Sequence, residues 1–134
     1  MSGLILQALQ SALYVRLSGD AALSAMISGV FDHVPDHTDY PYVTLGDASS
    51  RDWSTTTTTG ADTQFTLSIY SRSGGRKETL LIMERLHTLL HGVALAISGH
   101  QCVSLRHSTS SVQLEGDGLT YVGRMQCNLL SEKE

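Results

Sequence analysis

His87 and His91 stand four residues apart in RKETLLIMERLHTLLH, and on a helix that spacing projects both imidazoles from one face, as paired zinc ligands are placed. A metalloprotease helix would carry Glu directly after the first histidine, whereas Thr88 stands there, and no third ligand is evident in the sequence. Histidines near a helix C-terminus are favoured by the helix dipole alone. His33 and His37 flank a turn with Asp32, Asp36 and Asp39 beside them, a set able to bind a metal or move protons. No spacing rule ties them to one site, and a solvated turn has the same composition. Cys102 and His107 do not make a nucleophile and base, because residues five apart on a strand point to opposite faces. Gly74-Gly75 precedes a helix, yet neither a P-loop nor a dinucleotide fingerprint surrounds it, and no serine sits in G-x-S-x-G. The expectation is a chain with no catalytic residue, no cofactor and no metal. Trp53, alone in the polar stretch ASSRDWSTTTTTG, is the most suggestive contact residue, although it can equally pack back on a sheet.

The element that would position these groups is the stretch from Arg76 to His91. Ile82, Leu86, Leu89 and Val93, widened by Met83 and Leu90, recur at helical steps, with Lys77, Glu84, Arg85 and Thr88 opposite. Glu78 falls in the first turn, His91 in the last, and Gly92 where a left-handed terminating residue belongs. Upstream, Leu4, Leu6, Ala8, Leu9, Ala12, Leu13 and Leu17 predict a first helix, and Asp20 a cap for a short second one closed by Ser28-Gly29. Two brief strands are expected at 30–33 and 42–45 about a Pro-marked loop, then the polar segment 48–60 as a flexible loop or hairpin tip. Phe65, Leu67 and Ile69 alternate with polar residues as a half-buried strand, paired antiparallel with 42–47. Residues 101–115 and 119–129 form two extended runs about Gly116-Asp117-Gly118, a hairpin signal. The inward set changes phase from Val103 and Leu105 to Val112 and Leu114, which predicts a bulge near 108–111. Residues 131–134 read as a solvated tail. The predicted fold is α+β: a mostly antiparallel sheet with one long helix packed on it, plus an N-terminal helix and a short second helix.

A length of 134 residues suits one domain spanning 1–134. Two cysteines, Cys102 and Cys127, make no disulfide framework and read as free thiols. The opening MSGLILQALQSALYVRL has no basic leader or small-residue cleavage site, and no apolar run reaches the ~20 residues of a membrane span, so a soluble, unexported chain is expected. A net charge of -4 without a basic stripe argues against gripping nucleic acid through phosphates. Only 16% of residues are charged, against ~25% in typical domains, which suits a surface covered by neighbouring subunits.

The run DAALSAMISGVFDHVPDHTDYPYVTLGD takes a short helix into a V-F-D-x-V-P strand and turn and then a P-Y-V-T-L-G strand. The strand ending Ile69-Tyr70-Ser71, the Gly-Gly-Arg-Lys-Glu helix start and Asp117-Gly118-Leu119-Thr120 follow. In that order the chain resembles the tail-completion or tail-terminator proteins of long-tailed phages and phage-like gene transfer particles, with Pro35, Pro41 and Tyr42 its most distinctive positions. The resemblance implies a structural subunit of a hexameric ring that caps the tail tube, ends its polymerisation and joins the tail to the head connector. It implies as partners further copies of the chain, the tail tube protein and the connector (stopper) protein. DNA would pass through the lumen without specific binding, and no membrane is involved. The place implied is the head-proximal end of the virion tail, assembled in the bacterial cytoplasm. On that reading Arg51, Asp52, Trp53, Thr55, Thr56, Thr57, Thr58 and Thr59 are the candidate assembly-interface residues. Other readings are a different head-tail connector or tail-tube subunit, a monomeric binding module with an apolar pocket, or a small metal-dependent enzyme using His33/His37 or His87/His91.

Overall fold

The computed structural model describes residues 2–134, with side chains from Ile5 onward, so the expectation for the Leu4 side chain lies outside what is described. The order is α1 (Ser2–Ser18), α2 (Ala21–Met26), β1 (Val30–Phe31), β2 (Tyr42–Asp52), β3 (Gly60–Ser71), α3 (Lys77–Leu90), β4 (His100–Leu114) and β5 (Tyr121–Lys133). The five strands form one sheet in the order β1-β2-β3-β5-β4, antiparallel throughout except for the two-residue β1, which pairs parallel to β2. The α+β architecture with a mostly antiparallel sheet is as expected. The description of one long helix needs amending: α1, at 17 residues, is longer than α3, at 14.

Both long helices cover the same face. Ile5, Leu9, Leu13 and Leu17 of α1 and Ile82, Leu86, Leu89 and Leu90 of α3 are buried together with Phe65, Leu67 and Ile69 of β3 and Met125, Cys127 and Leu129 of β5. A strand's side chains alternate, so the opposite face carries Gln64, Thr66, Arg124, Gln126 and Asn128 and has no helix on it. The seat of α3 is set by Gly123. A Cβ at that position would meet Thr79 Cγ2 at 2.6 Å and Met83 Sδ at 2.8 Å, so only a bare backbone lets the helix lie this close.

The ends of the helices follow from local chemistry. Asp20 accepts the Leu23 N–H at 2.8 Å and caps α2, and its carboxylate also takes two bonds from Arg85 at 2.6 and 2.9 Å, tying α2 to α3. The α3 start has no side-chain cap, but Ser71 donates to Glu78 at 2.6 Å, and Gly92 (φ 70) ends the helix in the left-handed region.

Several expectations are corrected. Beyond the end of α3, Val93 is only half-buried, and the following run is irregular with Leu95 and Ile97 buried. β2 is not brief but eleven residues, because residues 46–52, without a large apolar side chain among them, continue the ladder through backbone pairing and the cross-strand bonds of Ser50 to Thr63 and Arg51 to Asp62. β4 bulges twice, at Val103 and Ser108. The second lies in the expected place; the first turns Val103 outward, and Leu114, at the far end, is also exposed rather than inward. The expected solvated tail is strand through Lys133, with Ser131 buried opposite Ala61 and Cys102.

Gly123→Ala is expected to lower stability by about 1–3 kcal/mol, through overpacking against Thr79 and Met83. Urea unfolding followed by circular dichroism checks this, and an unchanged midpoint would show that α3 can lift at no cost.

Candidate functional site

Residues 53–59 connect β2 to β3 at one end of the sheet, and local bonds order them. Thr55 N–H donates to Thr58 O at 2.8 Å, while the Thr55 hydroxyl accepts from the N–H groups of Thr57 and Thr58 at 3.3 and 3.1 Å. The β-prone threonines thus close a turn on themselves, as hydroxyl side chains do. Ser54 donates to Asp52 at 2.5 Å and accepts from Gly60 N–H at 3.0 Å. Gly60 is bare because Trp53 lies over it: a Cβ there would meet the Trp53 carbonyl at 2.7 Å and its ring at 3.1 Å. The indole is therefore half packed against the hairpin and still 41% exposed.

Arg51 crosses to Asp62 on β3 with two bonds to one oxygen, at 2.8 and 3.0 Å, and the other Asp62 oxygen is buried without a partner. The candidate residues thus share one hairpin end, with Thr55, Thr56 and Thr57 at its exposed turn. The sequence offered no sign of their neighbour there. Lys133 N–H donates to Thr59 O at 2.8 Å, and Ser50, Arg51, Asp52, Thr59, His100 and Lys133 line a cleft of 260 Å³. The last residues of the chain were missed because a polar run with no alternation carries no strand signal, although the β3 backbone pairs it.

The histidines divide into two groups. His33 and His37 are exposed in the loop before β2, His37 with φ 64, and no bond joins them to one another. His87 and His91 stack at 4.6 Å, and His107 of β4 joins them. His107 Nε2 lies 3.0 Å from Thr109 O, a carbonyl that only accepts, so Nε2 carries the proton. Nδ1 of the same ring is then the acceptor for His87 Nδ1–H at 2.9 Å, and the His107 backbone N–H donates to His91 Nδ1 at 3.1 Å. This arrangement requires a neutral His107 ring, whose Nδ1 must be free to accept. Burial, first, and then the charges of His87 and His91 push the His107 pKa down, against the bond to Thr109 that raises it. The expectation that Cys102 and His107 point to opposite faces is corrected, because the bulge at Val103 brings both to the helix-covered face; alternation with the buried Leu105 was the signal for His107.

Elsewhere Arg72 lies over the Tyr40 ring at 4.4 Å and donates to Thr120 at 2.9 Å, next to the 115–120 turn. In that turn Asp117 accepts from the Leu119 and Thr120 backbones and from the Thr120 hydroxyl, which holds its pKa at about 2. Tyr42, stacked on Tyr70, is pushed up to about 12, first by its burial. Among the described residues no group of three or more His, Cys, Asp or Glu is arranged to hold a metal ion, and no helix is long and apolar enough to cross a membrane.

Comparison with known proteins gives two positive results. The family model described as Tail completion protein gp17 matches residues 11–132. A chain in the solved structure titled "Virion of native gene transfer agent (GTA) particle" is 26% identical, with a TM-score of 0.87 over 96% of this chain and 97% of that one. No curated protein matches significantly.

Because the unfolded chain takes up a proton on His107 more readily than the folded one, stability is expected to fall as pH drops below about 6.5, the ordinary histidine value. Replacing His107 with Gln, which cannot titrate, should flatten the change in melting temperature between about pH 7 and about pH 5. An identical profile for the variant would contradict the neutral-ring assignment.

Proposed function

The chain belongs to the tail completion protein gp17 family, structural proteins of the phage virion, and from that premise we propose that it forms a ring that caps the tail tube. The observation that carries this reading is the pair of matches just described: a family match over most of the chain and near-complete mutual coverage with a chain of a virion particle.

The ring stops polymerisation of the tube and presents its other face to the head connector. Six copies related by rotation make heterologous contacts, in which each subunit offers two different surfaces, and such contacts close when the rotation closes. The physical features of the chain support this. Tyr14 and Val15 on α1, Leu80 and Leu81 on α3, and Leu119 at the β4-β5 turn are exposed apolar side chains on three separate elements. Isolated exposed apolar residues are ordinary in monomers, whereas several on different sides suit a subunit with more than one neighbour. The hairpin end at 51–59, beside Ile5 of α1 and Lys133 of β5, is the proposed contact with the tube or with an adjacent copy.

The uncovered sheet face carries amides, hydroxyls and the arginines Arg51, Arg106 and Arg124, with the stacked Tyr42 and Tyr70 toward one end, and it is the proposed lumen wall past which DNA travels. Contacts from such a face would be to phosphates and so without sequence specificity. The role needs no catalysis. The three-histidine group is accounted for as a hydrogen-bonded clasp between α3 and β4.

Native mass spectrometry of the purified chain across a concentration series is expected to show a hexamer, alone or after addition of tail tubes. A chain that stays monomeric under both conditions would overturn the ring.

A further inference from the structure

The sheet ends in two strand segments whose backbone groups have no partner among the described residues. On β2, Trp53 N–H donates to Gly60 O at 2.9 Å, and the alternation of an antiparallel ladder then turns the N–H and C=O groups of Ala48, Ser50 and Asp52 away from β3. β1 covers the β2 edge only at Val43 and Thr44. On β4, Glu115 N–H donates to Thr120 O at 2.7 Å, which by the same alternation points Ser110, Val112 and Leu114 away from β5. Upstream the β4 edge is covered: Gly92 N–H donates to Leu105 O, and His107 N–H to His91.

We propose that these two free edges pair with each other between copies. Residues 110–114 of one subunit add antiparallel to residues 48–52 of the next, so that the sheet runs without interruption around the ring. This rests on the ring reading above and specifies its subunit contact.

Four features of this chain favour a second copy as the occupant. The strands β2, β3, β5 and β4 each run opposite to their neighbour, so β4 runs opposite to β2 and a rotated copy continues the alternation across the seam. The pleat also matches. Val112 packs toward the core and Ser50 pairs with buried Thr63, so placing Ser50 opposite Val112 keeps the helices on the same side in every copy.

The stagger fits a closed sheet as well. Ser50 is level with Thr63 of β3, while Val112, through Gly123, is level with Ile69, and those two β3 positions are six residues apart (69 − 63). Six residues of rise across four strand spacings give a strand tilt of roughly 45°, the upper end of what barrels adopt. Finally, the pairing brings Leu114, 45% exposed, to Ala48, beside a cleft of 480 Å³ between α1 and β2 lined by Leu6, Leu9, Leu13, Leu45 and Leu67. An apolar side chain at one edge thus reaches a cleft at the other whose wall is leucine-rich, with Gln7, Gln10, Asp47 and Thr66 also lining it. Two free edges on a sheet are an aggregation hazard, and mutual pairing in a closed ring removes both.

The test is the double variant Ser50→Cys/Val112→Cys, oxidised after assembly, with each single variant as control. A directly paired antiparallel position has a Cα separation of about 5.5 Å, within disulfide reach. Within one copy the two residues sit on opposite edges of four strands and six residues apart along them, roughly 25 Å in all, and cannot join. The expected result is a ladder of covalent multimers ending at the ring, absent from both single variants. Ser110→Pro and Ser50→Pro, which remove outward N–H groups and, at Ser50, also the hydroxyl that accepts from Thr63, should each abolish the ring in native mass spectrometry while circular dichroism stays that of the folded chain; Ser50→Ala, which removes that hydroxyl alone, should keep the ring. A ring that persists in the proline variants and does not cross-link would overturn the edge pairing and leave the ring standing. Cross-linking of either edge to the tube protein would overturn it equally, and absence of any ring, free or on tails, would remove both proposals together.

Discussion

The structure depends on the unbroken register of β3 with β5, from Gly60 opposite Glu132 to Ser71 opposite Tyr121. These two strands lie at the centre of the sheet and come from the two halves of the chain, so every other element is placed relative to them. A slip of one residue would turn either Phe65, Leu67 and Ile69 of β3 or Met125, Cys127 and Leu129 of β5 to the polar face, and burial of those side chains is what the register protects. The outer strands need no such exactness, and both bulge: β2 between Leu45 and Ala48, β4 at Val103 and Ser108. Irregularity is confined to the strands where the core asks least.

Much of this was readable in the sequence where the pattern and the packing agree. The α3 stripe, the Asp20 cap, the alternation through Phe65 and Ile69 and the Gly116-Asp117-Gly118 turn are each set by residues within a few positions of one another. What was not readable depends on distant backbone. β2 continues through seven residues with no large apolar side chain because β3 supplies a partner for every second N–H, and residues 131–133 are strand because Ala61 and Gln101 lie beside them. Val103 and Leu114 were placed inward by alternation, but a bulge shifts one and the other lies past the end of the helical layer. The histidine clasp was hidden for a related reason. His107 meets His87 only because β4 passes the end of α3, a meeting twenty residues apart in sequence.

The candidate residues at 51–59 were chosen for composition, and the structure gives them a physical character that composition did not. The threonines close a hydrogen-bonded turn, Trp53 is half packed over Gly60, and Arg51 is held across the strand by Asp62. A contact surface ordered in this way loses less conformational entropy on binding than a free loop would. Together with a helix-free sheet face and two free sheet edges, these features support the proposed assembly with neighbouring subunits. Membership of the tail completion family gives those neighbours a setting in the virion.

The central claim is that the chain terminates the tail tube, and the most direct measurement is electron microscopy of tails assembled with the gold-labelled chain and without it. The account predicts one label cluster at the head-proximal end of each tail, and tubes of uncontrolled length when the chain is left out. Label distributed along the tube, or tubes of normal length without the chain, would contradict it.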